Sequence, residues 1–192
     1  MPDDPIQDPE RLAALRKTGL LDSAPDAGFD QLAQTWARML DVPVALVSLV
    51  DADRQYFKSR IGWLPEPYSR QTPLSHSFCK HVVQTGEPLI INDAREHPLV
   101  KDNPAIQDLG VVAYAGMPLK TPEGHVLGTL CFIDNKPREW NLKAGSLTFR
   151  PPQGTPAKQP SPAEGQGAEA SKPDPADPAE NQRGPTPPEE GG

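Results

Sequence analysis

The C-terminal segment constrains the fold most, because it contains nothing from which a core is built. From Pro151 to Gly192 there is no Val, Ile, Leu, Met, Phe, Tyr, Trp or Cys, and eleven of the 25 prolines lie there. Such a segment has no apolar surface whose burial offsets the entropy lost on folding. We therefore predict a flexible N-terminus at 1–7, one folded domain at 8–140 and a disordered Pro/Gly-rich tail at 141–192.

Composition narrows the classes of function. The chain of 192 residues has a net charge of -7 and a pI near 5.1, without a basic patch, which disfavours binding to nucleic acid or an anionic membrane. Two cysteines are too few for a disulfide framework. The first residues resemble no signal peptide, and no run reaches the roughly 18 apolar residues of a membrane span. We expect a cytoplasmic protein.

Two helices open the folded part. "DPERLAALRKTGLLD" begins with Asp8 as a cap and Pro9 in the first turn, and Gly19 provides a stop. In "DAGFDQLAQTWARMLDVP" the apolar residues recur at helical spacing, which predicts a buried face formed by Phe29, Leu32, Ala33, Trp36, Ala37 and Leu40.

The remainder alternates strands and short helices. "VALVSLVD" is typical of a buried strand, and "QYFKSRIG" predicts a hairpin partner with one solvated face. After a loop at 63–74 we predict a helix that is capped by Ser75 or Ser77 and ends at Gly86. A strand in "PLIIND", a short helix in "NPAIQDL" and a final hairpin turning at Gly124 follow it. Hairpins with helices between them predict an α+β fold with an antiparallel sheet.

Cys79 lies between His76 and His81, which raises the question of a metal site or a reactive thiol. On a helix, Cys79 shares an apolar arc with Phe78, Val82 and Val83, while His81 lies on the polar side. No second pair of ligands completes a zinc site, so we predict no metal. A buried, inert thiol is the favoured interpretation. A thiol activated near the helix N-terminus is the alternative.

Five stretches together resemble the GAF domain, of the kind found ahead of bacterial histidine kinases and diguanylate cyclases. They are "ERLAALRKTGLLDSAPDAGFDQL", "VALVSLVDADRQYFKSRIG", "SFCKHVVQTGEPLIINDA", "NPAIQDLGVVAYAGMPLKTPEG" and "LGTLCFIDNKPREW". The resemblance implies a central antiparallel sheet with helices on both faces and a ligand pocket on one of them. It also implies a long C-terminal helix, which "NLKAGSLTF" is too short to form, so we expect that helix to be absent.

The resemblance also directs the prediction of the site. GAF proteins that bind bilins or reduce free methionine sulfoxide carry a cysteine in or near "NPAIQDLGVVAYAG", which has none here. The residue pattern with which some GAF domains bind cyclic nucleotides is incomplete in this sequence. Haem binding by a lone histidine is disfavoured. We therefore predict no cofactor and no catalysis. The pocket of the family lies beside the third and fourth strands, so the predicted ligand-binding residues are Phe78, Cys79, Asp93, Tyr114 and Cys131.

These observations favour a non-catalytic signal-transduction module that senses an unknown small molecule, as in two-component systems, without its own output domain. The signal would pass to a second copy or to a signalling protein through the N-terminal helices. One alternative is a thiol-based redox switch or reductase that uses Cys79 and Cys131. Another is a non-functional remnant of a GAF-containing sensor kinase or cyclase, left by truncation or a frameshift.

Overall fold

A computed structural model describes residues 4–140 of the chain. The predicted disordered tail and the predicted absence of a C-terminal helix concern residues 141–192, and both lie outside the described residues. Within residues 4–140 no helix is long and apolar enough to cross a bilayer.

The N-terminal residues take part in the core. Pro5–Gln7 form a 3₁₀ turn, and Ile6 within it is only 3% exposed. The prediction of a flexible segment up to residue 7 is therefore corrected for this turn, because a buried isoleucine fixes it to the body of the domain. Helix α1, Pro9–Lys17, begins as predicted, with the Asp8 carboxylate accepting the amide of Glu10 at 2.8 Å.

Helix α2, Ala27–Leu40, is also the helix that the periodicity predicted. The Asp26 carboxylate accepts the Gly28 amide at 2.8 Å and caps its first turn. Its inward face buries Phe29, Ala33 and Ala37, and Asp41 ends it in the left-handed conformation with a φ of 50°.

The sheet has six strands in the order β3-β2-β1-β6-β5-β4, and all neighbours are antiparallel. The strands are β1 Val44–Val50, β2 Arg54–Ile61, β3 Gln71–Pro73, β4 Leu89–Ile91, β5 Ala113–Lys120 and β6 Val126–Asp134. Strand β3 lies inside the segment predicted as a loop. It is only three residues long and ends on a proline, so it carries no detectable alternation.

The solvated face predicted for β2 is wrong. Tyr56 and Lys58 are only 4% and 3% exposed, because the segment before α2 covers them. The Lys58 ammonium donates to the Ser23 hydroxyl at 2.7 Å and to the Ala24 carbonyl at 2.6 Å. The register of β2 against β1 also shifts midway, and such a bulge interrupts the side-chain alternation on which the prediction relied.

Helices pack on both faces of the sheet, which confirms the predicted α+β architecture. Helices α1 and α2 cover one face. The other face carries α3, Cys79–Thr85, and the segment that contains the short α4, Ala105–Asp108. The Ser77 hydroxyl accepts the Lys80 amide at 3.0 Å, and Gly86 ends α3 with a φ of 71°. Both ends of this helix therefore match the prediction.

Candidate ligand cavity

A small cavity lies between the sheet and the layer that holds α3 and α4. Its volume is about 20 Å³, and a cavity of roughly 10–15 Å³ already accommodates one water molecule. The lining is mainly apolar: Leu46, Gln55, Phe57, Leu64, His76, Phe78, Cys79, Ala105, Leu109, Val111, Tyr114, Cys131 and Ile133.

Four of the five predicted ligand-binding residues line this cavity: Phe78, Cys79, Tyr114 and Cys131. Asp93 does not line it, and a role of Asp93 in ligand binding stays a prediction. Strand β4 ends at Ile91, so Asp93 falls in the loop beyond the edge strand, in a separate surface groove. Its carboxylate is bound there by the Arg95 guanidinium at 2.5 Å, and this hydrogen-bonded pair lowers the pKa of Asp93.

Tyr114 is placed by β5 and by a neighbouring glycine. Its ring packs on Phe78 with centroids 5.2 Å apart, and the residue is 1% exposed. A Cβ at Gly116 would lie 2.2 Å from the Tyr114 hydroxyl oxygen. Only glycine at residue 116 therefore leaves room for the phenol to reach the cavity.

The Cys79 sulfur sits among three hydrogen-bond partners. The Thr129 and Tyr114 hydroxyls donate to it at 2.9 Å and 3.3 Å, and the Cys131 sulfur lies 3.7 Å away. Burial alone would raise the pKa of the Cys79 thiol, but the hydrogen bonds, led by that with Cys131, outweigh it and hold the pKa at about 7. The same hydrogen bond and burial raise the pKa of Cys131 well above its usual value.

His76 lines the cavity and connects the segment before α3 with α4. One ring nitrogen, Nε2, is 3.0 Å from the Asp108 carboxylate at the end of α4, and Nδ1 is 2.9 Å from the Ser75 hydroxyl. The Tyr68 ring stacks against it with centroids 5.1 Å apart. His76 therefore joins the segment before α3 to α4 at the edge of the cavity.

Sequence reasoning missed several polar residues of the site, including Gln55, His76 and Thr129. Ser77 was predicted only as a helix cap, yet its hydroxyl also donates to the buried Gln55 side chain. Thr129 had a usable signal, because a hydroxyl within the otherwise apolar "VLGTLCFI" requires a partner when buried. In residues 4–140 we find no group of three His, Cys, Asp or Glu side chains arranged to hold a metal ion.

Comparison with known proteins assigns the family. The model of the GAF domain matches residues 24–147. The chain belongs to the GAF domain family. This membership supports a sensory or regulatory module and confirms the resemblance deduced from the sequence.

Relatives of this GAF domain include a cyclic di-GMP phosphodiesterase of Pseudomonas aeruginosa, 36% identical over 135 residues. The match covers 70% of this chain but only 22% of that protein. Among solved structures, the GAF domain of the Acinetobacter phosphoenolpyruvate-protein phosphotransferase is 20% identical, with 68% of this chain and 80% of that one covered and a TM-score of 0.47. The substrate-bound free methionine-R-sulfoxide reductase of Neisseria meningitidis is 18% identical, with 69% and 75% covered and a TM-score of 0.49.

Proposed function

We propose that this GAF domain is a non-catalytic module that binds a small molecule in the cavity between the sheet and α3–α4. The observation that carries the proposal is the convergence of Phe78, Cys79, Tyr114 and Cys131 on one buried, mainly apolar cavity. An apolar cavity with a few converging polar groups is the usual form of a small-molecule site.

Binding requires the cavity to open. A volume of about 20 Å³ holds a water-sized molecule but no metabolite. The segment that contains α4 is the element best suited to move, because α4 has four residues and its Asp108 contact with His76 is half-exposed. A ligand that binds only the open form would shift the population toward it.

The lining indicates the chemistry of the ligand. Its polar groups are Gln55, His76, the Tyr114 hydroxyl and the two thiols, and it includes no Arg or Lys. This favours a small molecule with an apolar body and one or two hydrogen-bonding groups, and disfavours cyclic di-GMP with its two phosphates.

The output would pass through non-covalent contact made by α1 and α2. These helices cover the face of the sheet opposite the cavity, and Met39 on α2 is 67% exposed. The sheet that joins both faces would carry the displacement of the α4 segment to this surface. The partner would be a second copy of the chain or another signalling protein.

Amide NMR of the full chain tests the site. We would titrate it with a panel of free amino acids, small aromatic acids, nitrate, cyclic AMP and cyclic di-GMP. We expect one class to shift amide signals of the α4 segment and of β5 and β6 around the cavity. Shifts confined to the groove around Asp93 and His97, or no shift with any compound in the panel, would overturn the assignment of the cavity.

A further inference from the structure

The two cysteines of the chain meet inside the protein. Cys79 on α3 and Cys131 on β6 are 2% and 0% exposed, and both are free thiols. Their sulfurs are 3.7 Å apart, whereas a disulfide bond is about 2.05 Å long. A disulfide therefore requires the two sulfurs to close a gap of roughly 1.6 Å, by side-chain rotation and a shift of α3.

We propose that Cys79 and Cys131 form a thiol–disulfide switch that responds to hydrogen peroxide, with Cys79 as the attacking and Cys131 as the resolving thiol. The proposal does not depend on the small-molecule ligand proposed above. The switch uses the same cavity, through which the oxidant would reach Cys79.

The reaction balances with hydrogen peroxide as the named oxidant. The Cys79 thiolate attacks one peroxide oxygen, so an S–O bond forms, the O–O bond breaks and hydroxide leaves and takes up a proton as water. The Cys131 sulfur then attacks the Cys79 sulfenic acid, the S–O bond breaks, and a second water leaves with the Cys131 proton. Two thiols and one peroxide become one disulfide and two waters.

The hydrogen bonds assign the two roles. Hydroxyls of Thr129 and Tyr114 point at the Cys79 sulfur at 2.9 Å and 3.3 Å, and donors in that position stabilise a thiolate, the reactive form. The pKa of Cys79 is about 7, whereas that of Cys131 is raised well above its usual value. Cys79 therefore reacts first, and Cys131 remains a thiol in contact with the product.

The cavity supplies a route for peroxide and excludes larger oxidants. Both sulfurs line it, and its volume of about 20 Å³ suits a molecule of the size of water, which hydrogen peroxide only slightly exceeds. His76 in the lining has a side chain 11% exposed, so only this side chain separates that part of the cavity from solvent, and its movement would admit peroxide.

The full chain, reduced and then treated with hydrogen peroxide, tests the proposal by intact mass and thiol counting after denaturation. We expect the loss of two hydrogen atoms and of both thiols within a monomer, both restored by dithiothreitol. The Cys131→Ser variant should stop at a sulfenic acid on Cys79, which dimedone traps once the peroxide has been removed and the protein denatured. The Cys79→Ser variant should leave Cys131 unmodified.

Thr129→Val provides a matched test of the donor, because the methyl replaces the hydroxyl at nearly constant volume. We expect the same disulfide but slower oxidation near pH 7, because the thiolate fraction falls about fivefold for the first unit by which the pKa of Cys79 rises and about tenfold for each further unit. Thiols that survive peroxide at concentrations that oxidise free cysteine would overturn the proposal. So would a disulfide found only between chains, or equal oxidation rates in Thr129→Val and the wild type.

Discussion

The Arg138 guanidinium binds the Asp134 carboxylate at 2.5 Å, at the end of β6. The carboxylate is almost fully buried. The same guanidinium donates to the Leu40 carbonyl at 2.7 Å and to the Asp41 carbonyl at the end of α2. This pair therefore ties the segment that follows the sheet to α2.

Replacing Arg138 with Gln should lower the free energy of unfolding by about 3 kcal/mol, because Asp134 would be left as a buried charge without a partner. Urea denaturation of the full chain measures this. The double variant Arg138→Gln/Asp134→Asn should recover part of the loss. Arg95→Gln, which breaks the exposed pair with Asp93, is the matched control and should leave the midpoint unchanged. Equal losses in the two Arg variants would contradict the account.

Arg11 is a buried cation that holds the N-terminal turn. It is 3% exposed and donates to the carbonyls of Ile6 and Val50 at 2.6 Å and 2.8 Å. Arg11→Met should cost about 3 kcal/mol, since it leaves several buried carbonyls without donors. Urea denaturation again provides the measurement. Arg16→Met, on the exposed side of α1, should be close to neutral, and a near-neutral Arg11→Met would refute the role of Arg11.

Gly128 is required by the close approach of β1 and β6. A Cβ at this position would lie 1.9 Å from the Ser48 carbonyl oxygen, so Gly128→Ala must separate the two central strands. We expect a loss of about 4 kcal/mol or more, or failure to fold. Gly124→Ala meets no atom within 4 Å but has a φ of 97°, and should cost only about 1 kcal/mol. Circular dichroism during thermal unfolding distinguishes the two variants.

The lowered pKa of Cys79 makes stability depend on pH. The folded thiol has a pKa of about 7, below the roughly 8.5 of an unfolded cysteine. The unfolded state therefore binds more protons between these values, so stability rises with pH across that window and is lost as pH falls through about 7.

Under reducing conditions, the stability difference between the wild type and Cys79→Ser should grow by about 2 kcal/mol from pH 6 to 8.5. Denaturant titrations at several pH values measure this stability difference. The Cys131→Ser variant shows whether the second thiol contributes to the pH dependence. A difference that is constant with pH would show that Cys79 stays protonated throughout this range.

Local signals accounted for much of the fold. Asp8 and Gly86 mark helix ends through their own backbone contacts, and the apolar arc of Phe78, Cys79 and Val82 follows from the period of one helix. Such features depend on neighbours in sequence, so the sequence alone predicted them. The GAF resemblance supplied the face of the sheet on which the cavity lies.

The features that were missed depend on contacts between distant segments. Lys58 is buried because residues 23–24 fold over it, and no pattern within β2 predicts this burial. Asp93 was placed at the pocket from its position in the family, whereas the end of β4 at Ile91 directs it to the surface. The resemblance predicted both Cys79 and Cys131 at the pocket, but their direct contact spans 52 residues, and no sequence spacing determines it.

Thermal unfolding of the full chain, with and without each compound of the panel, tests the central claim most directly. The account predicts a cooperative transition whose midpoint rises with the concentration of one ligand class, because binding to the native state stabilises it. Ala105→Val, which adds two methyl groups at the cavity, should abolish this rise, while Ala13→Val on the exposed face of α1 should retain it. A rise of equal size in Ala105→Val would contradict binding in the cavity, and a non-cooperative, aggregating product would contradict a folded sensory module.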